Sequence, residues 1–214
     1  RLSVFWVIGV LLNLGLKHLI CAPRPWWIDT SLLPINPHPA RGFGMPSGHT
    51  QSAIGVTLAC LGASTMLKRH MMLRRHMSAQ GWGWRLIQVT SCVIGVGWAL
   101  SIAWSRVYLN AHSVAQVVAG ASLGVVWAWS LSYIERHDRG VLISLIFTII
   151  CSGLSISASL SPLELPEAWR AVILERGVNP PSAPELSKVL SLSALGVILC
   201  VMSPTRRSKK PRER

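Results

Sequence analysis

Three short segments of the chain carry residues able to do chemistry together: Lys17 with Arg24-Pro25, Pro46-Ser47-Gly48-His49, and Ser105-Arg106 with His112. They supply three cations, Lys17, Arg24 and Arg106, and two imidazoles, His49 and His112. A phosphate ester spreads negative charge over its equatorial oxygens during transfer, so a catalyst needs fixed positive charge and directed N–H donors around them. Arginine offers a planar fork that matches two such oxygens, and lysine a point charge. Pro46-Ser47-Gly48-His49 enters a helix, where unpaired backbone N–H groups and the positive end of the helix dipole attract phosphate. Gly48 lets the backbone approach a ligand, and Ser47 adds a hydroxyl donor. Two imidazoles allow a division of labour. One attacks phosphorus, the other protonates the departing oxygen, and water then hydrolyses the phosphohistidine. Taken singly, Lys17 and Arg24 would read as cations snorkelling at a helix end; with two histidines in the same set, an anion site is the stronger reading.

Metal chemistry fits the pattern less well. Magnesium and two-metal sites need carboxylates, none of the three segments contains one, and Asp29, Glu164, Glu167, Glu175 and Glu185 are scattered. A zinc site built from His18, His38, His49 and His112 would be opposed by the neighbouring cations. No metal and no cofactor is expected. The cysteines at 21, 60, 92, 151 and 200 lack the close pairing of a thiolate zinc site, and all but Cys21 fall in apolar stretches, so no disulfide framework is expected either.

The elements that must hold these residues follow from the composition. The chain has 214 residues, is 50% hydrophobic and carries only 14% charged residues, too apolar for an ordinary soluble domain. Spanning a bilayer as a helix takes about 20 mostly apolar residues. Six stretches come close: 2–20, 50–67, 86–104, 112–134, 141–160 and 186–203. The expected fold is all-α, a polytopic transmembrane helix bundle of about six spans, forming one domain over 1–214. Each chemical segment lies where an apolar stretch meets a polar one. His112 is expected to open the fourth span, with Asn110 as a cap, and the Gly120 and Gly124 pair fits a close helix contact. In the outer loop 161–185, Pro166 and Glu167 suit a helix start and Gly177 a stop, with Leu165, Trp169, Val172 and Ile173 on one face. That predicts a short outer helix lying in the membrane interface.

The net charge of +13 would suggest nucleic acid in a soluble protein, but its distribution argues otherwise. Most of the 21 basic residues fall in alternate loops (68–85 and 136–139) and in the tail 204–214. The positive-inside rule then places both termini and the basic tail in the cytoplasm and the three segments on a periplasmic or lumenal face. The plasma or inner membrane is the expected site, with no nucleic-acid partner and anionic lipid as the partner of the basic loops. The chain begins at Arg1 without a signal-peptide cleavage pattern, which leaves room for earlier N-terminal spans.

At this point the pattern resembles the type 2 phosphatidic acid phosphatase and vanadium haloperoxidase superfamily. That signature reads lysine, six residues, Arg-Pro; then Pro-Ser-Gly-His; then Ser-Arg, five residues, His, three residues, Asp. The resemblance covers 17–116. It implies that His112 is the nucleophile and His49 the general acid, with Lys17, Arg24, Arg106, Ser47 and Gly48 cradling the phosphate. Metal-independent catalysis and inhibition by vanadate are implied as well. Gln116 stands where the signature has an aspartate that orients the nucleophile; an amide holds the imidazole by hydrogen bonding but does not stabilise its positive charge. Arg24-Pro25-Trp26-Trp27, Tyr108 and Gln116-Val117-Val118-Ala119-Gly120 resemble the glucose-6-phosphatase branch. Gly42-Phe43-Gly44-Met45 and Gln51 resemble the dolichyl-diphosphate phosphatase branch.

The expected function is a membrane phosphatase acting on a lipid phosphate or polyprenyl diphosphate. A sugar-phosphate phosphatase is the competing enzyme. A phosphate-lipid binding protein that turns over poorly because of Gln116 is the competing non-enzyme. A transporter is disfavoured by the lack of an ionisable residue at mid-span, and a haloperoxidase because that activity belongs to soluble members of the superfamily. Oligomeric state is not legible.

Overall fold

The computed structural model describes residues 2–35, 42–73, 82–136, 140–161, 163–182 and 184–202. His38, residues 74–81 of the basic loop and the tail 204–214 lie outside them. Among the described residues the chain is helical throughout, without strands: α1 (Leu2–Ile20), α2 (Pro25–Ile28), α3 (Gly48–Leu73), α4 (Trp82–Tyr108), α5 (Val114–Arg136), α6 (Gly140–Leu160), α7 (Glu167–Glu175) and α8 (Leu186–Met202). The six long helices coincide with the six expected stretches. Four segments are long and apolar enough to cross a membrane, Ser3–Ile28, Gly83–Tyr108, Val114–Ile134 and Gly140–Leu160, and α8 is a shorter apolar helix. In hydrocarbon a helix satisfies its own backbone, which is why such runs fold this way. The protein is an integral membrane, all-α bundle. On α4, Leu86, Val93, Ile94, Leu100 and Trp104 all face outward; an apolar surface this continuous suits lipid and not water.

The chain forms two compact units, one from residues 1–19, 129–163 and 183–214, the other from 20–128 and 164–182. In the first, Val4, Val7, Ile8 and Leu11 of α1 pack with Cys151, Val189 and Cys200. Gly196 has no side chain to hold off Thr148 and Val7, and Gly15 none to hold off Leu154. Ser155 donates its hydroxyl to the Leu11 carbonyl at 2.6 Å, so this buried hydroxyl is paired.

In the second unit, α5 lies hard against the start of α3. A Cβ on Gly120 would come 2.5 Å from the Ser47 carbonyl oxygen, and one on Gly124 would come 2.6 Å from that of Gln51. The Gly120 and Gly124 pair thus serves an intramolecular contact at the start of α3. Thr57 of α3 donates to the Gly95 carbonyl of α4 at 3.3 Å.

Two short helices complete the unit. The short helix expected within 161–185 is α7, with Ile173 fully buried and Gly177 at a φ of +66°, a backbone conformation that costs glycine little; it packs on α2 through Trp169 and Trp27, whose rings lie 6.3 Å apart. Sequence reasoning placed α2 within a loop, although Arg-Pro is a helix-start signal: Pro25 occupies the first helical position, where a missing N–H costs nothing. Just beyond α2, the Ser31 hydroxyl and N–H donate to the Asp29 carboxylate at 2.6 and 2.9 Å, which holds that carboxyl below its usual range.

Candidate active site

The segment after α1 turns at Cys21, whose φ is +48°, and brings Arg24 inward until only 4% of it is exposed. Its guanidinium donates from Nε to the Gly42 carbonyl and from Nη1 to the Ala111 carbonyl, both at 2.6 Å. One arginine therefore joins three stretches of chain. Behind it, Trp26 and Trp27 are buried edge to face, their centroids 5.9 Å apart, and Trp27 meets Phe43 at 6.0 Å. The segment around residue 43 is held a second time by the Gly44 N–H, which donates to the Ala22 carbonyl at 2.9 Å.

The start of α3 carries Ser47, Gly48 and His49. Ser47 is fully buried. Its hydroxyl lies 3.0 Å from that of Thr50, and its N–H donates to the Gln116 carbonyl at 3.1 Å. Gly48 is half-buried and His49 exposed, on a first turn whose N–H groups have no partner within the helix.

Arg106 lies in the last turn of α4. Its Nε and Nη2 both donate to the Ser105 hydroxyl at 3.2 Å, and its charge is close enough to that of Arg24 for the two to repel. Among the described residues neither guanidinium is paired with a carboxylate; the ion pair found, Lys188 with Glu185, is elsewhere. The chain then reverses. Asn110 adopts a φ of +54°, a conformation asparagine tolerates, and the N–H groups of Ala111 and His112 both donate back to the Arg106 carbonyl at 3.1 Å. Asn110 thus ends α4 and does not cap α5, and its side chain donates to the Leu33 carbonyl at 3.0 Å. The cap of α5 is Ser113. Its hydroxyl accepts from the Gln116 N–H at 3.3 Å, and the Gln116 side chain accepts from the Ser113 N–H at 3.2 Å, the reciprocal pair of a Ser-x-x-Gln capping box. That spacing is readable in the sequence, and sequence reasoning missed it.

His112 precedes this cap and is 4% exposed. Its Nδ1 lies 2.7 Å from the Gly44 carbonyl oxygen and 3.3 Å from Oε1 of Gln116. The amide nitrogen of Gln116 donates to the Pro23 carbonyl at 2.6 Å. Arg24, Ser47, Gly48, His49, Arg106, His112 and Gln116 therefore belong to one unit, linked through direct bonds or adjacent residues. Lys17 sits half-buried on the last turn of α1, which belongs to the other unit. The carbonyls of Gly42, Gly44 and Ala111 have no side-chain signature, and sequence reasoning missed their part in the site.

The profile of the PAP2 superfamily matches residues 1–139. The chain is 28% identical, over an alignment of 239 residues, to glucose-6-phosphatase catalytic subunit 1 of Haplochromis nubilus, covering 99% of this chain and 65% of that protein. It is 31% identical over 156 residues to the Mus musculus protein of the same name, covering 65% of this chain and 40% of that one. Glucose-6-phosphatase 3 of Bos taurus is 29% identical over 186 residues, with 75% and 51% covered. The chain thus spans between 40% and 65% of the length of these relatives. No solved structure matches it.

Proposed function

The chain belongs to the PAP2 superfamily, and we propose that it is a membrane phosphatase that hydrolyses a sugar monophosphate without a metal, through a phosphohistidine on His112. The observation that carries the mechanism is the position of His112. The imidazole is held at Nδ1 by neutral oxygens and follows Ala111, whose carbonyl takes an Arg24 N–H, and neither Arg24 nor Arg106 has a carboxylate partner among the described residues. Such a set attracts a dianionic phosphoryl group and offers it one nucleophile. In the proposed cycle Nε2 of His112 attacks phosphorus as the bond to the ester oxygen breaks, and His49 gives its proton to that oxygen. Water then attacks the phosphohistidine, His49 takes the water proton, the N–P bond breaks and inorganic phosphate leaves. Arg24, Arg106, Ser47 and the Gly48 backbone hold the phosphoryl oxygens throughout.

The substrate class draws on the relatives, all of which carry glucose 6-phosphate hydrolysis in their names, and on Arg24 to Trp27, Tyr108 and the run from Gln116 to Gly120. This moves the preference from the lipid phosphate expected on the sequence alone. A lipid phosphate or polyprenyl diphosphate remains the second reading, because the Gly42-Phe43-Gly44 segment that resembles the dolichyl branch is the one that touches His112. The site is proposed to face the periplasm or a lumen, with both termini cytoplasmic.

Phosphate release by the purified protein in detergent and chelator, offered glucose 6-phosphate, phosphatidic acid and a polyprenyl diphosphate in turn, tests both parts. Release from glucose 6-phosphate in chelator, inhibited by vanadate, is the expected result. Preference for either lipid would transfer the proposal to the second reading, and release only after metal is restored would end the metal-free mechanism.

A further inference from the structure

The family signature puts an aspartate at the position of Gln116, so the simplest reading makes this amide the group that orients His112. The distances assign the work differently. The Gly44 carbonyl is the nearer partner of Nδ1, at 2.7 Å against 3.3 Å for Oε1 of Gln116, and the latter is long for a hydrogen bond to a ring nitrogen. Gln116 is already engaged on every side: Nε2 to the Pro23 carbonyl, Oε1 from the Ser113 N–H, main-chain N–H to the Ser113 hydroxyl, and carbonyl from the Ser47 N–H. Gly44 is pinned in turn by its N–H on Ala22, and a Cβ there would run into the Gln116 amide.

We propose that the Gly44 backbone carbonyl fixes the tautomer and aim of His112, and that Gln116 is a positioning residue whose amide latches the Pro23 and Gly44 segments against the start of α5. The assignment of His112 as nucleophile rests on the function proposed above; the assignment of its hydrogen-bond partner does not. Both neighbours of Nδ1 are oxygens, so Nδ1 bears the hydrogen and the lone pair lies on Nε2, the nitrogen that attacks. Neither of these two oxygens carries a full charge. The other charged or titratable groups packed around this loop are Arg24, on the Ala111 carbonyl, Arg106, whose own carbonyl holds the His112 N–H, and His49 on the first turn of α3.

The test uses the full chain in detergent with 15N-labelled histidine, His112 being assigned by comparison with His112→Gln. Nitrogen shifts report the tautomer whether or not the protein turns over. Wild type is expected to show the Nδ1–H form, and Gln116→Ala is expected to retain it while phosphate release falls, because the Gly44 carbonyl stays in place. An Nε2–H form in wild type, or a switch to it in Gln116→Ala, would overturn the proposal. Should Gln116→Ala fail to fold, the nearly isosteric Gln116→Glu serves. It loses the donor to Pro23 and puts a carboxylate beside the ring, so kcat is expected to fall with KM little changed, and the acid limb of the pH profile to rise by about 1–3 units. A Gln116→Glu enzyme faster than wild type would show that a charged orienter at 116 is what the site lacks, and would overturn the latch. An Nδ1–H His112 in a protein that releases no phosphate from any substrate would leave this inference standing and remove the proposed function.

Discussion

Alanine at His112 is expected to reduce phosphate release to the uncatalysed background, a fall of at least about 10⁴-fold, because it removes the atom to which phosphorus would be transferred and not merely a contact to it. Phosphate-analogue binding should survive, since Arg24, Arg106 and the end of α3 are untouched. The paired measurement is turnover of the preferred substrate and vanadate affinity on the same preparation. Binding retained without turnover supports nucleophilic catalysis. Residual turnover between about a ten-thousandth and a hundredth of wild type would assign His112 a general acid-base role instead, whose usual worth is about 10²–10⁴-fold.

The second large effect is expected at Arg24, where stability and chemistry meet in one side chain. Arg24→Ala withdraws one of the two guanidinium charges at the site and strands the Gly42 and Ala111 carbonyls that it holds at 2.6 Å. Each buried carbonyl left unpaired costs about 1–3 kcal/mol, and loss of an aligned donor to a developing oxyanion costs about 10²–10³ in rate. Arg24→Lys separates the two roles. A lysine restores the charge, but its point-like ammonium cannot reproduce a planar fork spanning two carbonyls, so it should recover part of the phosphate affinity and little of the thermal midpoint. An Arg24→Lys enzyme matching wild type in both would remove the bridging role from the account.

The large features were legible because they rest on rules that act along the chain. Hydrophobic length picked out the six long helices. Pro166, Glu167 and Gly177 bracketed α7, since helix-start and helix-stop signals are local. The charged and imidazole residues stood out as candidates because few side chains suit phosphate chemistry. What escaped was carried by the main chain: nothing in the letters Gly44, Gly42 or Ala111 tells that their carbonyls receive a histidine and an arginine. Asn110 was misassigned for a related reason. Asparagine suits both the start of a helix and a left-handed turn after one, and the reversal between α4 and α5 decided for the latter. The serine three places before Gln116 was the better cap, and its spacing said so.

The bonds that close the site join residues far apart in the chain, 87 positions for Arg24 to Ala111 and 93 for Gln116 to Pro23. At synthesis rates of about 5–20 residues per second, the early loops wait several seconds in the translocation channel before α5 exists to receive them. Closing such long loops carries an entropic cost that is repaid only when the last partner docks. The site therefore orders only once α5 has emerged and, by the same balance, is expected to be among the first parts of its unit to open. Cleavage of the 21–44 loop by an added protease should be slowed by vanadate, which binds the closed form in preference. In a cell, substrate supply would then set how long each copy of the protein survives surveillance by membrane proteases.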